Sequence, residues 1–108
     1  MWDFPPDSPA AHAVLPSPNH DRRLGTGRPD MLVLHYTGMA DGQAALAKLC
    51  EPTSKVSAHY VVFEDGHTVQ CVPELRRAWH AGVSSWEGQS DVNSVSYTHL
   101  TLPTNREV

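Results

Sequence analysis

The chain has 108 residues, 40% of them hydrophobic, and a formal net charge of −4 at pH 7. A chain of this length forms at most one domain with a modest core. Its acidic balance argues against a surface for nucleic acid or anionic membranes. Seven histidines are the compositional exception and favour metal or acid–base chemistry. Cys50 and Cys71 lack a CxxC spacing, so we expect small buried apolar roles rather than a disulfide or a cysteine zinc site.

The first 29 residues are rich in proline and predict an extended arm along the domain surface. His12 and His20 lie in this arm, where exposed loop histidines are the simpler interpretation. The N-terminus lacks the basic and apolar regions of a secretory signal. No apolar run approaches the ~18 residues of a membrane-spanning helix. These features predict a soluble, cytoplasmic protein.

The first clear strand is predicted at Asp30–His35. Its four consecutive apolar residues, Met31–Leu34, are typical of a strand buried on both faces in the middle of a sheet. His35 ends this strand, and the ends of buried strands are where open α/β sheets place their chemistry. The local pattern alone leaves two alternatives for His35, a structural histidine or a ligand or catalyst.

A helix is predicted from Asp41 to Cys50. Asp41 can cap the amides of the first turn, and Pro52 stops the helix from continuing. One face of the segment is apolar, so we expect this helix to pack against the sheet. That face consists of Ala44, Ala45, Leu46, Leu49 and Cys50.

A β-hairpin is predicted next. Ala58–Phe63 is rich in β-branched and aromatic residues, and Thr68–Val72 alternates polar and apolar residues. Between them, Glu64–His67 contains Asp-Gly, a strong hairpin signal because glycine accepts the positive φ of the turn. The loop Arg77–Gly82 follows and carries His80, so histidines lie at both ends of the hairpin.

The composition changes after Trp86. Residues 87–94 form a polar loop, and residues 95–108 supply no helix and no clear partner strand. The predicted sheet therefore lacks at least one strand and the helix that would cover its second face.

Three segments occur in the order and spacing of a known family: LVLHYTG, SAHYVVFEDGHTVQCV and RRAWHAGVSSWEG. Together they resemble the type 2 zinc N-acetylmuramoyl-L-alanine amidases, which include anhydro-muropeptide amidases and peptidoglycan recognition proteins. The match covers about residues 29 to 94. It implies an α/β fold with a mixed β-sheet and flanking helices, here incomplete and truncated. It also implies a zinc ion and hydrolysis of the amide between N-acetylmuramic acid and L-alanine in peptidoglycan or muropeptides.

The resemblance implies that His35 is the first zinc ligand. Hydrolytic zinc takes three protein ligands and leaves one position for water. Three further residues are candidates for substrate binding, each with an alternative. His80 could contact substrate or orient a ligand. His59 could line the cleft or pack inside the sheet, and Trp86 could form a wall for sugar or peptide or only pack at the rim.

The chain also departs from the family. Leu100 stands about where the family has the glutamate of an Ile-Gly-Ile-Glu strand, and no later residue can supply the two remaining zinc ligands. His99 has no motif context and is not assigned. The tail SVSYTHLTLPTNREV resembles a translated sequencing adapter.

These departures predict a Pro-rich N-terminal extension (1–28), the N-terminal part of a zinc amidase domain (29–95) and a non-native tail (96–108). We expect this chain to be inactive although its parent protein is an amidase. The alternatives are a non-catalytic peptidoglycan-binding module and a fragment with no function of its own.

Overall fold

The computed structural model describes residues 4–24, 29, 31–36, 42–63, 65–80 and 91–101. The strands in these ranges are β1 (Ala13–Val14), β2 (His20–Arg22), β3 (Met31–Tyr36), β4 (Tyr60–Val62), β5 (Thr68–Gln70), β6 (Arg76–Ala78) and β7 (Ser96–Thr101). The helices are α1 (Gly42–Leu49) and α2 (Val92–Val95), with a 3-10 turn at Pro52–Ser54. Within these ranges, no helix is long and apolar enough to cross a membrane.

Five strands form one mixed sheet in the order β1-β5-β4-β7-β3, and β2 pairs with β6 in a separate antiparallel ribbon. This confirms the predicted mixed sheet. The prediction that residues after 95 supply no partner strand is wrong, because β7 runs parallel to both β3 and β4 and lies between them. Its sequence, SYTHLT, contains the aromatic and β-branched residues that favour a strand.

The predicted hairpin is present, with β4 and β5 antiparallel and Val61 opposite Val69. The amide of Phe63 donates to the carbonyl of His67 at 2.9 Å and closes the turn. Gly66 has a φ of +89°, a value that glycine adopts at little cost, so the Asp-Gly signal has its expected physical basis.

Helix α1 covers one face of the sheet, as predicted. Its buried residues join those of β4, β5, β6 and the adjoining loops in one core: Leu46, Leu49, Ala58, Val61, Val69, Cys71, Val72 and Ala78. Ala45 is also buried, whereas Ala44, which was predicted on the same face, is exposed. The predicted cap residue Asp41 lies outside the described residues.

Strand β3 does not have two buried faces, and this prediction is wrong. It is the last strand in the sheet order, and Leu32 and Leu34 are 49% and 66% exposed. Alternation along a strand puts these two leucines on one face and Val33 and His35 on the other. His35 and Val61 are both paired with Leu100 of β7, so they lie on the same face of the sheet. Val61 packs against α1, and the exposed leucines therefore lie on the face opposite α1.

The N-terminal arm is built into the fold. Strand β1 pairs in parallel with β5, and Ser17, Asn19 and Arg23 are each at most 4% exposed. The side-chain amide of Asn19 donates to the carbonyls of Glu51 at 2.8 Å and Val56 at 2.9 Å, which fixes the connection between α1 and β4. The arm therefore supports the core as well as extending along it. The predicted domain boundaries after residues 28 and 95 remain predictions.

Candidate functional site

A pocket of about 130 Å³ lies between β3, the end of α1 and the segments that flank the hairpin. It combines two imidazoles and an indole with a largely apolar floor. Its lining residues are His35, Leu49, Val56, Ser57, Ala58, Trp79 and His80. Two of the predicted site residues, His35 and His80, are thus brought together although 45 positions separate them in the sequence.

His35 and His80 are in direct contact. The Nε2 atom of His35 lies 3.0 Å from the Nδ1 atom of His80, and the two rings meet edge to face with centroids 5.1 Å apart. On its other side, the Nε2 atom of His80 lies 2.8 Å from the hydroxyl of Ser96. The hydroxyl of Ser96 in turn lies 2.6 Å from the carbonyl of Val92.

This chain of contacts fixes the direction of each hydrogen bond. A carbonyl only accepts, so the Ser96 hydroxyl donates its one proton to Val92 and accepts from Nε2–H of His80. The Nδ1 atom of neutral His80 then carries a lone pair and accepts from Nε2–H of His35. The remaining lone pair of neutral His35 is therefore on Nδ1, and a lone pair is what a metal ligand needs.

The electrostatics of the pocket keep both imidazoles neutral near pH 7. Burial is the main cause that lowers the pKa of His80, and together with the positive charges that His35, His59 and Arg23 can carry it brings this pKa to about 3. Burial also lowers the pKa of His35. Neutral rings agree with the directional hydrogen bonds, because a doubly protonated His80 would have no acceptor for Nε2–H of His35.

Several hydrogen bonds fix the segment that contains Trp79 and His80. The Ser57 amide donates to the Trp79 carbonyl, and the Trp79 amide donates to the Ser57 hydroxyl, both at 2.9 Å. The side-chain carbonyl of Asn93 accepts from the amide of His80 at 3.1 Å. The backbone that leads into His80 is thus fixed.

An arginine next to this loop ties it to the arm. The guanidinium of Arg77 bonds both carboxylate oxygens of Asp21 at 2.7 Å and reaches Asp91 at 3.1 Å. The bond from Arg77 lowers the pKa of Asp21, with a further contribution from the Trp79 side chain. The two ion pairs of Arg77 therefore join β6 to β2 and to Asp91, the residue before α2.

His59 is buried in the sheet and does not line the pocket. It is 0% exposed, its Nδ1 accepts from the amide of Thr98 at 3.1 Å, and its Nε2 lies 2.9 Å from the carbonyl of Arg76. The bond from Thr98 requires a lone pair on Nδ1, so the ring proton is on Nε2 and faces the carbonyl of Arg76; the guanidinium of Arg23 lies 3.2 Å from the same nitrogen. The packed, hydrogen-bonded alternative describes this geometry, and it leaves no surface of His59 for a substrate.

The described residues do not complete a zinc site. They contain no group of three or more His, Cys, Asp or Glu side chains that could hold a metal ion. Both ring nitrogens of His80 are in hydrogen bonds, so His35 is one candidate ligand where catalytic zinc takes three protein ligands. Trp86 lies outside the described residues, so its predicted role stays a prediction.

Other features of the site were missed at the sequence level. Ser96 and Ser57 hold His80 and Trp79, and neither carried a pattern that separates it from other serines. Leu49 and Val56 line the pocket, and the side-chain amide of Asn19 in the arm donates to the carbonyls of both residues, a contact that their local sequence does not predict. The one sequence signal for this environment was the family resemblance of the segments around Ser57 and Trp79.

Comparison with known proteins identifies the class. The family described as Amidase_2, N-acetylmuramoyl-L-alanine amidase, matches residues 25–100. The chain therefore belongs to this amidase family, in which zinc dependence is a general property.

Individual relatives agree with this assignment. The chain is 34% identical to the 1,6-anhydro-N-acetylmuramyl-L-alanine amidase AmpD of Citrobacter freundii, over 76% of this chain and 53% of the relative. It is 38% identical to the N-acetylmuramoyl-L-alanine amidase AmiD of Escherichia coli K12, over 64% of this chain and 26% of the relative. The chain thus spans about half the length of the AmpD proteins it matches.

Solved structures show the same fold. The crystal structure of a selenomethionine derivative of AmpD superposes with a TM-score of 0.81 at 30% identity, covering all of this chain and 69% of that one. E. coli AmiD in complex with anhydro-N-acetylmuramic acid-L-Ala-D-γ-Glu-L-Lys superposes with a TM-score of 0.58 at 32% identity, covering 80% of this chain and 32% of that one.

Proposed function

We propose that this chain is the N-terminal part of an amidase that hydrolyses the bond between N-acetylmuramic acid and L-alanine in peptidoglycan or muropeptides. The observation that carries the proposal is the pocket in which His35, at the end of β3, is bonded to His80. The family assignment and the named activities of AmpD and AmiD support it. The muropeptide bound to AmiD suggests the substrate class.

We further propose that His35 is one zinc ligand and binds through Nδ1. When bound, zinc in such hydrolases polarises the scissile carbonyl and lowers the pKa of a bound water to roughly 7. Within the described ranges the ligand set is incomplete, so the chain in its present form is expected to be inactive. The parent protein would need two further ligands from elsewhere in its sequence.

His80 and Trp86 are proposed to serve the substrate side of the pocket. His80 is half-buried beside His35, and its bond to His35 suits it to orient the ligand. Trp86 follows it by six residues and is retained as a candidate wall for sugar or peptide. A cytoplasmic role in recycling muropeptides is proposed only because the chain is similar to the anhydro-muramyl amidases.

A chimeric enzyme tests the proposal. Residues 1–95 of this chain would replace the matching part of C. freundii AmpD, and release of peptide from anhydro-N-acetylmuramic acid-L-Ala-D-γ-Glu-L-Lys would be measured by chromatography. We expect chelator-sensitive cleavage that His35→Ala abolishes. His67→Ala is the matched control, because His67 is exposed in the hairpin turn. A folded chimera that binds zinc and leaves the substrate intact would contradict the proposal.

A second candidate function is a non-catalytic peptidoglycan-binding module, and a binding experiment on the unmodified chain distinguishes it from the amidase proposal. The observation that favours the second candidate is a formed pocket with an incomplete ligand set among the described residues. It predicts that the chain sediments with purified peptidoglycan sacculi and that His80→Ala and Trp86→Ala release it. A chain that stays in the supernatant excludes this module.

The exposed leucines of β3 favour the third alternative, a fragment with no function of its own. Exposed apolar strand surface promotes aggregation. Cooperative thermal unfolding of a monomeric chain would count against it.

A further inference from the structure

The two cysteines lie side by side although their spacing carries no motif. Cys71 follows β5, is fully buried and belongs to the hydrophobic core. Cys50 follows α1, is half-buried and packs against the same core. The two thiols are near enough for each to shift the pKa of the other. One thiol of the pair is therefore reachable from solvent, and the other is enclosed.

The N-terminal arm contacts the chain near both cysteines. The amide of Ser17 donates to the carbonyl of Cys71 at 2.8 Å, and the hydroxyl of Ser17 donates to the carbonyl of Leu49. The thiol of Cys50 lies 3.7 Å from the carbonyl of Leu15. The segment from Leu15 to Ser17 thus contacts the thiol of Cys50, the carbonyl that precedes Cys50 and the carbonyl of Cys71, which holds the two cysteines beside the same part of the arm.

The two thiols differ in chemical character. The interaction with Cys71 lowers the pKa of Cys50, and the interaction with Cys50 together with burial raises the pKa of Cys71. The thiolate is the reactive form of cysteine, and a solvent-borne oxidant reaches the half-buried Cys50 but not the enclosed Cys71, so Cys50 is the nucleophile of the pair. Cys71 is placed to react with whatever forms on Cys50.

We propose that Cys50 and Cys71 form an oxidation site, at which hydrogen peroxide converts the two thiols into an intramolecular disulfide. The Cys50 thiolate attacks one peroxide oxygen, the O–O bond breaks, and the hydroxide released takes up a proton to become water. Cys50 is then a sulfenic acid. The sulfur of Cys71 attacks the sulfur of Cys50, the S–O bond breaks, and the hydroxyl leaves as water with the Cys71 proton. Two thiols and one peroxide thus give one disulfide and two waters.

The disulfide would act on the pocket through its neighbour. Leu49 precedes Cys50 at the end of α1 and lines the pocket with His35 and His80. Linking Cys50 to Cys71 ties this end of α1 to the end of β5 and restricts the pocket wall. The site is independent of the proposed amidase function, so either can fail without the other.

Peptide mapping tests the proposal on the whole chain. The folded protein is treated with hydrogen peroxide, remaining thiols are blocked with N-ethylmaleimide, and the chain is digested with trypsin without reductant. Cleavage after Lys48, Lys55 and Arg76 places the cysteines on peptides 49–55 and 56–76. We expect these two peptides joined, with a mass loss of two hydrogen atoms and loss of both free thiols. The reaction should be faster in the folded chain than in guanidinium, where the cysteines are apart.

Two variants assign the roles of the thiols. In Cys71→Ser the sulfenic acid on Cys50 cannot be resolved, so dimedone should label Cys50. In Cys50→Ser the buried Cys71 should stay reduced while circular dichroism reports a folded chain. The proposal is overturned if folded wild-type protein gives sulfinic acid on Cys50 without the linked peptides, or if disulfides form only between chains. If a variant does not fold, the comparison of disulfide formation in folded wild-type protein and in guanidinium still tests the proposal.

Discussion

Replacing Arg23 with methionine should remove a large part of the stability of the chain. The side chain of Arg23 is 4% exposed although it carries a charge. Its guanidinium donates to the carbonyls of Glu74 at 2.7 and 3.0 Å, Asn93 at 3.1 Å and Ser96 at 2.7 Å. One residue of the arm therefore holds the segment before β6, the helix α2 and the first residue of β7.

The magnitude follows from these acceptors. A buried carbonyl that loses its donor costs about 1–2 kcal/mol, and three carbonyls lose one. Methionine recovers part of this because it buries apolar surface and no charge, so we expect a net loss of about 3 kcal/mol in the free energy of unfolding. Domains of this size have only about 5–15 kcal/mol in total.

Urea denaturation followed by tryptophan fluorescence measures the effect. With a slope of about 1–1.5 kcal/mol per molar urea, the midpoint of Arg23→Met should fall by roughly 2–3 M. Arg22→Met is the matched control, because Arg22 is the exposed neighbour in β2 and should shift stability by at most about 0.5 kcal/mol. Equal midpoints for the two variants would refute the assigned role of Arg23.

Three further predictions concern the turn, the ion pair and the histidine pair. Gly66→Ala should cost about 1 kcal/mol through its φ of +89° alone, since an added Cβ meets no atom within 4 Å; a neutral result in urea denaturation would show that the turn relaxes. The pKa of Asp21 is lowered in the folded chain, so its pairing with Arg77 stabilises above the ordinary pKa of about 4 and is lost as pH falls through the folded value. The midpoint difference between wild type and Asp21→Asn should therefore be present at pH 7 and vanish in acid, and a difference independent of pH would contradict the linkage. Long-range ¹H–¹⁵N spectra should show the proton on Nε2 in both His35 and His80, and a proton on Nδ1 of His35 would reverse the assigned direction of the hydrogen bonds.

Local patterns predicted the hairpin and α1 because each depends on neighbours in sequence. The Asp-Gly turn needs a positive φ, and glycine supplies it at Gly66. The apolar spacing of α1 predicted a helix, and its buried leucines, Leu46 and Leu49, face the sheet. Both features would be identified in any sequence with the same local signals.

The errors arose where distant segments decide the outcome. Four apolar residues in β3 predicted burial on both faces, but burial depends on what covers each face, and Leu34 has solvent over it. The residues of β7 are of types that favour a strand, but its partners in β3 and β4 lie far away in the sequence, so its pairing could not be predicted from local pattern. For the site, the resemblance selected His35 and His80, whereas the bond between them depends on the placement of Ser96 and could not be derived from spacing.

The position of β7 also determines the order in which the sheet can assemble. Among the described strands, β7 is the last along the chain, yet it separates β3 from β4 in the sheet. During synthesis, the hairpin of β4 and β5 can pair with β1 as soon as those residues have emerged, whereas the described neighbour of β3 forms only when residues 96–101 follow. Closing the sheet therefore brings together strands 65 positions apart, a long-range step that slows folding. A pause or a break in translation before residue 96 would leave His35 on a strand with no partner, and the pocket would not form.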